Sequence, residues 1–119
     1  MKKILMIATG GTIASAEGGD GLTPAMTGEE LAASVPGIKD KCDLTVLQLM
    51  NIDSTNMRPY LWGLMRDAIT EHYNDYDGFV ILHGTDTMAY TAAALSYLIQ
   101  NSAKPIVLTG SQKPMGNPY

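Results

Sequence analysis

The 119 residues are 45% hydrophobic and 17% charged, with a net charge of −4. That is the composition of one globular domain with a core of its own, and it argues against disorder. The mild negative balance, without a cluster of Lys and Arg, speaks against a nucleic-acid groove, and the single cysteine, Cys42, excludes an internal disulfide and a Cys-based zinc site.

Met1-Lys2-Lys3 and the apolar residues after it imitate the start of a signal peptide. The run is too short for an h-region and is cut by Gly10-Gly11, and no stretch reaches the length of a transmembrane helix, so cytoplasmic residence without a membrane partner is expected.

Ile4-Leu5-Met6-Ile7 reads as a buried parallel strand. The turn Ala8-Thr9-Gly10-Gly11-Thr12-Ile13-Ala14 follows, with two glycines where the backbone bends and Thr12 just past the carboxyl end of the strand. In open α/β sheets that edge binds ligands, which makes Thr12 a nucleophile candidate. The alternative is a plain βα turn whose threonine bonds its own backbone. The segment Ser15-Ala16-Glu17-Gly18-Gly19-Asp20-Gly21-Leu22-Thr23-Pro24 is expected to be a mobile loop, either a lid or a simple surface connection. Thr27-Gly28-Glu29-Glu30 is a capping box for a helix through Leu31, Ala32 and Val35, ended by Pro36-Gly37.

Residues 43–50 suit a second strand. The polar turn Asn51-Ile52-Asp53-Ser54-Thr55-Asn56 after it can cap the next helix, wall a pocket for a small polar ligand, or do both. A helix is expected over 58–73, with Trp62, Met65 and Ile69 on one face, Leu61 and Ala68 beside it, and Trp62 in the core. Phe79-Val80-Ile81-Leu82 is the strongest central-strand signal and ends in His83-Gly84-Thr85-Asp86-Thr87. A helix then runs from 88 to about 100, its Ala92, Ala93 and Ala94 expected against the sheet. Ile106-Val107-Leu108 is a fourth strand ending at Thr109-Gly110-Ser111, and only loop signals lie beyond Pro114.

This alternation predicts an α/β fold: a three-layer, doubly wound, mostly parallel sheet of Rossmann or flavodoxin type, with right-handed crossovers and helices on both faces. The whole chain, 1–119, reads as one such domain. A complete domain of this kind would continue past the fourth strand, so the chain reads as a fragment.

Two glycine turns with hydroxyl residues, both at carboxyl strand ends, bring two threonines and a carboxylate to one crevice. A threonine hydroxyl needs a base to act as a nucleophile, and backbone amides of a glycine turn can receive an oxyanion. Asp86 suits a substrate ammonium group or, alternatively, a helix N-cap. A helix N-terminus suits a substrate carboxylate. Together these groups suit a small zwitterion with an acyl group, such as an amino-acid amide. His72 and His83 lack spaced partners for a metal, and His83 reads as a structural hydrogen-bonding residue.

Thr9-Gly10-Gly11-Thr12-Ile13-Ala14 with His83-Gly84-Thr85-Asp86-Thr87-Met88 resembles the bacterial-type L-asparaginase family, near its cytoplasmic branch. Asp53-Ser54 between the two motifs and Thr109-Gly110-Ser111-Gln112-Lys113-Pro114 after them strengthen the resemblance, which runs through the whole chain but covers about the first third of a family member. The resemblance implies the incomplete N-terminal domain of a two-domain amidohydrolase that hydrolyses L-asparagine, with L-glutamine as the alternative substrate. It implies Thr12 as the nucleophile of a covalent acyl intermediate, Thr85 in a relay that activates or orients the attack, and Asp86 as the grip on the substrate amino group. It also implies Asp53, Ser54 and Thr55 as the loop for the substrate α-carboxylate, and Ser111 as a backbone carbonyl near the substrate amide. No cofactor or metal is implied, and homodimers or homotetramers are the family habit.

Two departures stand out. The family's lid tyrosine corresponds to Leu22 here, and its relay lysine lies beyond the last residue, so Lys104 and Lys113 do not replace it. Two other readings compete: a non-catalytic flavodoxin-like module that binds a small anion or amino acid, and an inert fragment with an exposed apolar edge. The absence of a Gly-Lys-Ser/Thr motif speaks against phosphate as the anion.

Overall fold

The apolar runs of the sequence become the strands of one parallel sheet. The computed structural model describes residues 1–10, 15–18, 21–24 and 37–110. Along the chain these form β1 (Lys3–Ala8), β2 (Ser15–Gly18), β3 (Gly21–Pro24), α1 (Ile38–Lys41), β4 (Asp43–Gln48), a single 3-10 turn (Ser54–Asn56), α2 (Pro59–His72), β5 (Gly78–Leu82), α3 (Met88–Leu98) and β6 (Ile106–Thr109). The sheet has the order β4-β1-β5-β6, and each of its pairings is parallel.

The register explains the core. Leu5 stands opposite Phe79, and Ile7 opposite Ile81. With a side-chain period of two, these four residues point to one face, and all are buried. Met65, Ala68 and Ile69 of α2 and Leu95 of α3 close over that face in a single cluster. Each large apolar side chain removed from water in this way contributes about 1.5–3 kcal/mol before the entropic cost of ordering it. Ile4, Met6 and Val80 point to the other face and are only half-buried. The capping box at 27–30 and the helix predicted after it lie outside the described residues.

Four local expectations are corrected. The segment read as an irregular loop contains a two-stranded antiparallel ribbon, β2 with β3, in which Glu17 is opposite Leu22 and Gly18 opposite Gly21. The short helix α1 was not foreseen; it follows Gly37, whose φ of 74° suits a residue without a side chain. The polar turn after β4 does not cap α2. Asp53 instead accepts from the Thr55 amide at 3.0 Å and caps its own 3-10 turn, while α2 starts on Pro59, which lacks the amide hydrogen that a helix start leaves unpaired. Finally, α3 faces the sheet with Thr91 and Leu95, leaving Ala92 and Ala93 exposed. The alanine run alone did not reveal the inward face, because small residues fit either side of a helix.

The amino-terminal edge of the sheet is tied by polar contacts. Lys104 donates through Nζ to the carbonyls of Tyr73 and, at 2.7 Å, Tyr76, and its ammonium lies 4.7 Å from the Tyr73 ring centroid. Tyr73 in turn accepts from the Ala103 amide at 3.0 Å and shares a hydrogen bond with Ser102 Oγ at 3.2 Å; chiefly the Ser102 bond lowers its phenol pKa. The starts of β1 and β5 are stapled reciprocally: the Lys3 amide donates to Asp77 Oδ2 at 2.8 Å, and the Asp77 amide donates to the Lys3 carbonyl at 2.7 Å.

The Lys3 amide bond is the main cause that holds the Asp77 carboxyl below its ordinary value of 3.8, with the charges of Lys2, Lys104 and Lys3 adding to it. A depressed folded-state pKa gives stability that is complete above the unfolded value and is lost as pH falls through the folded one. Asp77→Asn is therefore expected to reduce stability at neutral pH. Urea unfolding of both proteins from pH 7 to pH 2 should show their difference constant at first and then shrinking below the ordinary aspartate value of 3.8.

Candidate active site

The chain leaves β1 toward β4 and then crosses back past β1 to β5. The strand order therefore reverses between β1 and β5, and the carboxyl ends of these two strands flank the crevice where sheets of this type bind ligands. Three strands end at this edge in glycine turns, each pressed against a neighbouring turn. Gly10, two residues past β1, has a φ of +109° and lies so close to the Ile52 backbone that a Cβ would collide with its carbonyl oxygen. Gly84, two residues past β5, would place a Cβ 2.7 Å from both Cβ and Oγ of Ser54. Gly110, just past β6, would drive a Cβ into the carbonyl oxygen of His83. Real carbon atoms do not approach so closely, so each turn needs glycine for contact with its neighbour.

Hydrogen bonds lock the same junctions. The Thr9 amide and Thr9 Oγ1 both donate to the Leu82 carbonyl, at 3.1 and 2.5 Å, tying the end of β1 to that of β5. The Ile52 amide donates to the Thr9 carbonyl at 2.9 Å, and the His83 amide to the Thr109 carbonyl at 2.9 Å. Thr87 Oγ1 donates to the Ser54 carbonyl at 2.9 Å, so the turn after β5 holds the 3-10 turn after β4.

The sequence-derived residues fall into three groups. Ser54, Thr85 and Asp86 come together: Ser54 is 3% exposed beneath Gly84, Thr85 Cγ2 lies beside Gly110, and Asp86 is exposed at the rim. Asp53 and Thr55 are exposed on the same turn as Ser54, with the Asp53 carboxylate engaged by the Thr55 amide. Thr12 and Ser111 lie outside the described residues. The N-cap of α3 is Thr87, so the Asp86 carboxylate is not spent on capping; among the described residues it has no hydrogen-bond or ion-pair partner. Lys104 stands at the opposite edge of the sheet, before β6 begins. That position agrees with leaving it out of the chemistry.

His83 is wholly buried. Its Nδ1 is 2.6 Å from the Gly84 carbonyl, its Nε2 is 2.8 Å from Thr91 Oγ1, and Thr91 Oγ1 accepts from Trp62 Nε1 at 2.8 Å. The structural role expected of His83 therefore has two partners that the sequence did not disclose, and Trp62 sits half-buried against the core. A threonine one helical turn into an alanine-rich helix, on its buried face, was the only available signal for Thr91. Thr9 was likewise missed: nothing in its context distinguishes a tie between strands from a turn hydroxyl. Among the described residues, no group of three or more His, Cys, Asp or Glu side chains is gathered to hold a metal ion, and no helix is long and apolar enough to cross a membrane.

Comparisons with known proteins agree with this architecture. The family model described as "Asparaginase, N-terminal" matches residues 3–119. The chain is 42% identical over 118 residues to an L-asparaginase of Thermococcus kodakarensis, covering 98% of this chain and 36% of that protein. It is 44% identical over 121 residues to a glutamyl-tRNA(Gln) amidotransferase subunit of the same organism, covering 99% of this chain and 28% of the relative. Among solved structures, a probable cytoplasmic L-asparaginase from Campylobacter jejuni superposes with a TM-score of 0.83 at 36% identity, covering 99% of this chain and 35% of that one. The chain thus spans about a third of the length of the relatives it matches.

The contact between Gly84 and Ser54 generates a test. Gly84→Ala is expected to cost about 1–3 kcal/mol in denaturant unfolding, the usual penalty of overpacking a tight site. Adding Ser54→Gly, which removes both atoms 2.7 Å from the new Cβ, is expected to recover part of that loss, seen as a favourable coupling in the double-mutant cycle.

Proposed function

This chain belongs to the asparaginase N-terminal family, and we propose on that basis that it supplies the nucleophile and the substrate grip of an amidohydrolase that converts L-asparagine to L-aspartate and ammonia. The observation that supports the reading most strongly is the convergence of three glycine turns at the strand-order reversal, with Ser54, Thr85 and the uncapped Asp86 beside one another. Acyl transfer from a small amino-acid amide needs hydroxyls, backbone amides and one carboxylate in that arrangement.

In this reading the Thr12 hydroxyl attacks the side-chain amide carbon of asparagine. Its proton passes through the Thr85 relay to the departing nitrogen, the carbon–nitrogen bond breaks, and ammonia leaves an acyl ester on Thr12. Water then adds to the ester carbon, aspartate departs, and the Thr12 oxygen regains a proton. Backbone amides of the glycine turns receive the negative charge that develops on the carbonyl oxygen. Asp86 holds the substrate ammonium group. Ser54 and Thr55 face the α-carboxylate, on a turn that Asp53 shapes by capping it, and Ser111 offers its carbonyl to the amide. The reading requires no cofactor or metal, and L-glutamine is the second substrate to examine. The working protein is a cytoplasmic homodimer or homotetramer whose neighbouring subunits complete the sites. The relative named as an amidotransferase subunit, at comparable identity, favours a second reading, in which the same amidohydrolase site serves within an assembly with other proteins.

Ammonia release from L-asparagine, with L-glutamine in parallel, tests the proposal in the full-length protein. Thr12→Ala is expected to lower the rate by on the order of 10³-fold or more, because the nucleophile is lost. Release that persists in the folded variant would exclude an ester on Thr12, and a folded, ligand-binding wild type that releases none would favour the non-catalytic binding module.

A further inference from the structure

We propose that the buried ladder Trp62–Thr91–His83 is a positioning device for the active-site turn: it fixes the plane of the Gly84–Thr85 peptide and so aims the Thr85 amide at the crevice between β1 and β5. The consequence for catalysis rests on the proposed amidohydrolase function; the orientation of the peptide does not.

The direction of each hydrogen bond follows from what the groups can do. An indole nitrogen only donates, so Trp62 Nε1 gives its proton to Thr91 Oγ1, 2.8 Å away. A carbonyl only accepts, so His83 Nδ1 carries the proton shared with the Gly84 oxygen at 2.6 Å. In neutral His83 the remaining ring nitrogen, Nε2, then accepts the Thr91 hydroxyl proton at 2.8 Å. One chain of three hydrogen bonds thus connects α2, α3 and the end of β5, and His83 and Thr91 within it are 0% exposed.

The last acceptor gives the ladder its purpose. The described backbone has no cis peptide bond. In a trans peptide the carbonyl of Gly84 and the amide hydrogen of Thr85 lie in one plane and point in opposite directions. Drawing the carbonyl toward a ring buried in the core turns the amide away from the core. Ser54 packs on one side of Gly84, and Gly110 abuts both His83 and Thr85, so the turn has little room to relax into another orientation. Apolar side chains at 62, 83 and 91 would fill the same space without orienting the peptide. A ladder with all its bonds made rigidifies what it touches.

The test uses Thr91→Val, which removes the hydroxyl at nearly constant shape, and Thr91→Ser, which keeps it, both in the full-length protein. In Thr91→Val the amide resonances of Thr85 and Asp86 are expected to move, and the His83 Nε2 signal to shift as it loses its hydrogen-bond donor while Nδ1 keeps its proton on the Gly84 carbonyl. The kcat for L-asparagine is expected to fall about tenfold with KM changed less than about twofold, the mark of a misplaced group that acts in the transition state. Thr91→Ser is expected to restore both spectra and kcat. If the valine variant does not fold, Trp62→Phe, which removes the first donor together with part of the indole and retains an aromatic ring, is read in the same way. Unmoved Thr85 and Asp86 resonances, a rise in KM with kcat unchanged, or a serine variant as impaired as the valine variant would each overturn the proposal. Should the wild type release no ammonia, the proposed function falls, and the resonances alone decide the positioning claim.

Discussion

Everything at the carboxyl edge of the sheet depends on how closely three backbones approach one another. The Ile52 backbone occupies the place of a side chain on Gly10, Ser54 the place of one on Gly84, and the His83 carbonyl the place of one on Gly110. Parallel strands lie about 4.8 Å apart, a spacing that side chains on the following turns would have to widen. With glycine at all three points, the turns stack with the spacing of the strands that deliver them. Hydroxyl and carboxylate groups of the turns after β4 and β5 are thereby brought to the same edge of the sheet.

The two edges of the sheet divide the work. At the amino-terminal edge, Lys104 and Asp77 make contacts that join strand starts to the end of α2 and to one another, far from the crevice. At the carboxyl edge, polar groups are of two kinds. Thr9, His83, Thr87 and Thr91 are committed to tying turns together, whereas Asp86 stands at the rim without a described partner. Residue type alone does not separate the two kinds: Thr9, Thr87 and Thr91 are spent on such ties, whereas Thr85 at the same edge makes no hydrogen bond among the described residues.

The sequence was most legible where one physical signal dominated. Unbroken apolar runs identified β1, β5 and β6, and the glycine-hydroxyl turns behind them fall at the carboxyl ends of those strands, as read. The grouping of Ser54, Thr85 and Asp86 followed from topology, since parallel strands bring their carboxyl ends together whatever the sequence distance. Legibility failed where two signals competed. Glycines between 15 and 24 suggested an irregular loop, yet glycine at both Gly18 and Gly21 is compatible with a tight antiparallel ribbon. The alanines of α3 hid its inward face because their size fits either side. The ladder from Trp62 to Gly84 was out of reach because its partners are 29 and 8 residues apart in sequence and meet only after α2 and α3 pack together.

The central claim is that the three strand-end turns form one site for a small amino acid. Titration of the ¹⁵N-labelled chain with L-aspartate, the proposed product, addresses it most directly. The account predicts saturable shifts centred on the amides of Gly10, Ser54, Gly84, Thr85, Asp86 and Gly110, and none along a separate apolar groove lined by Leu95, Ile99, Ile106 and Leu108. Shifts confined to that groove, or none at any of the three turns in a folded chain, would contradict it.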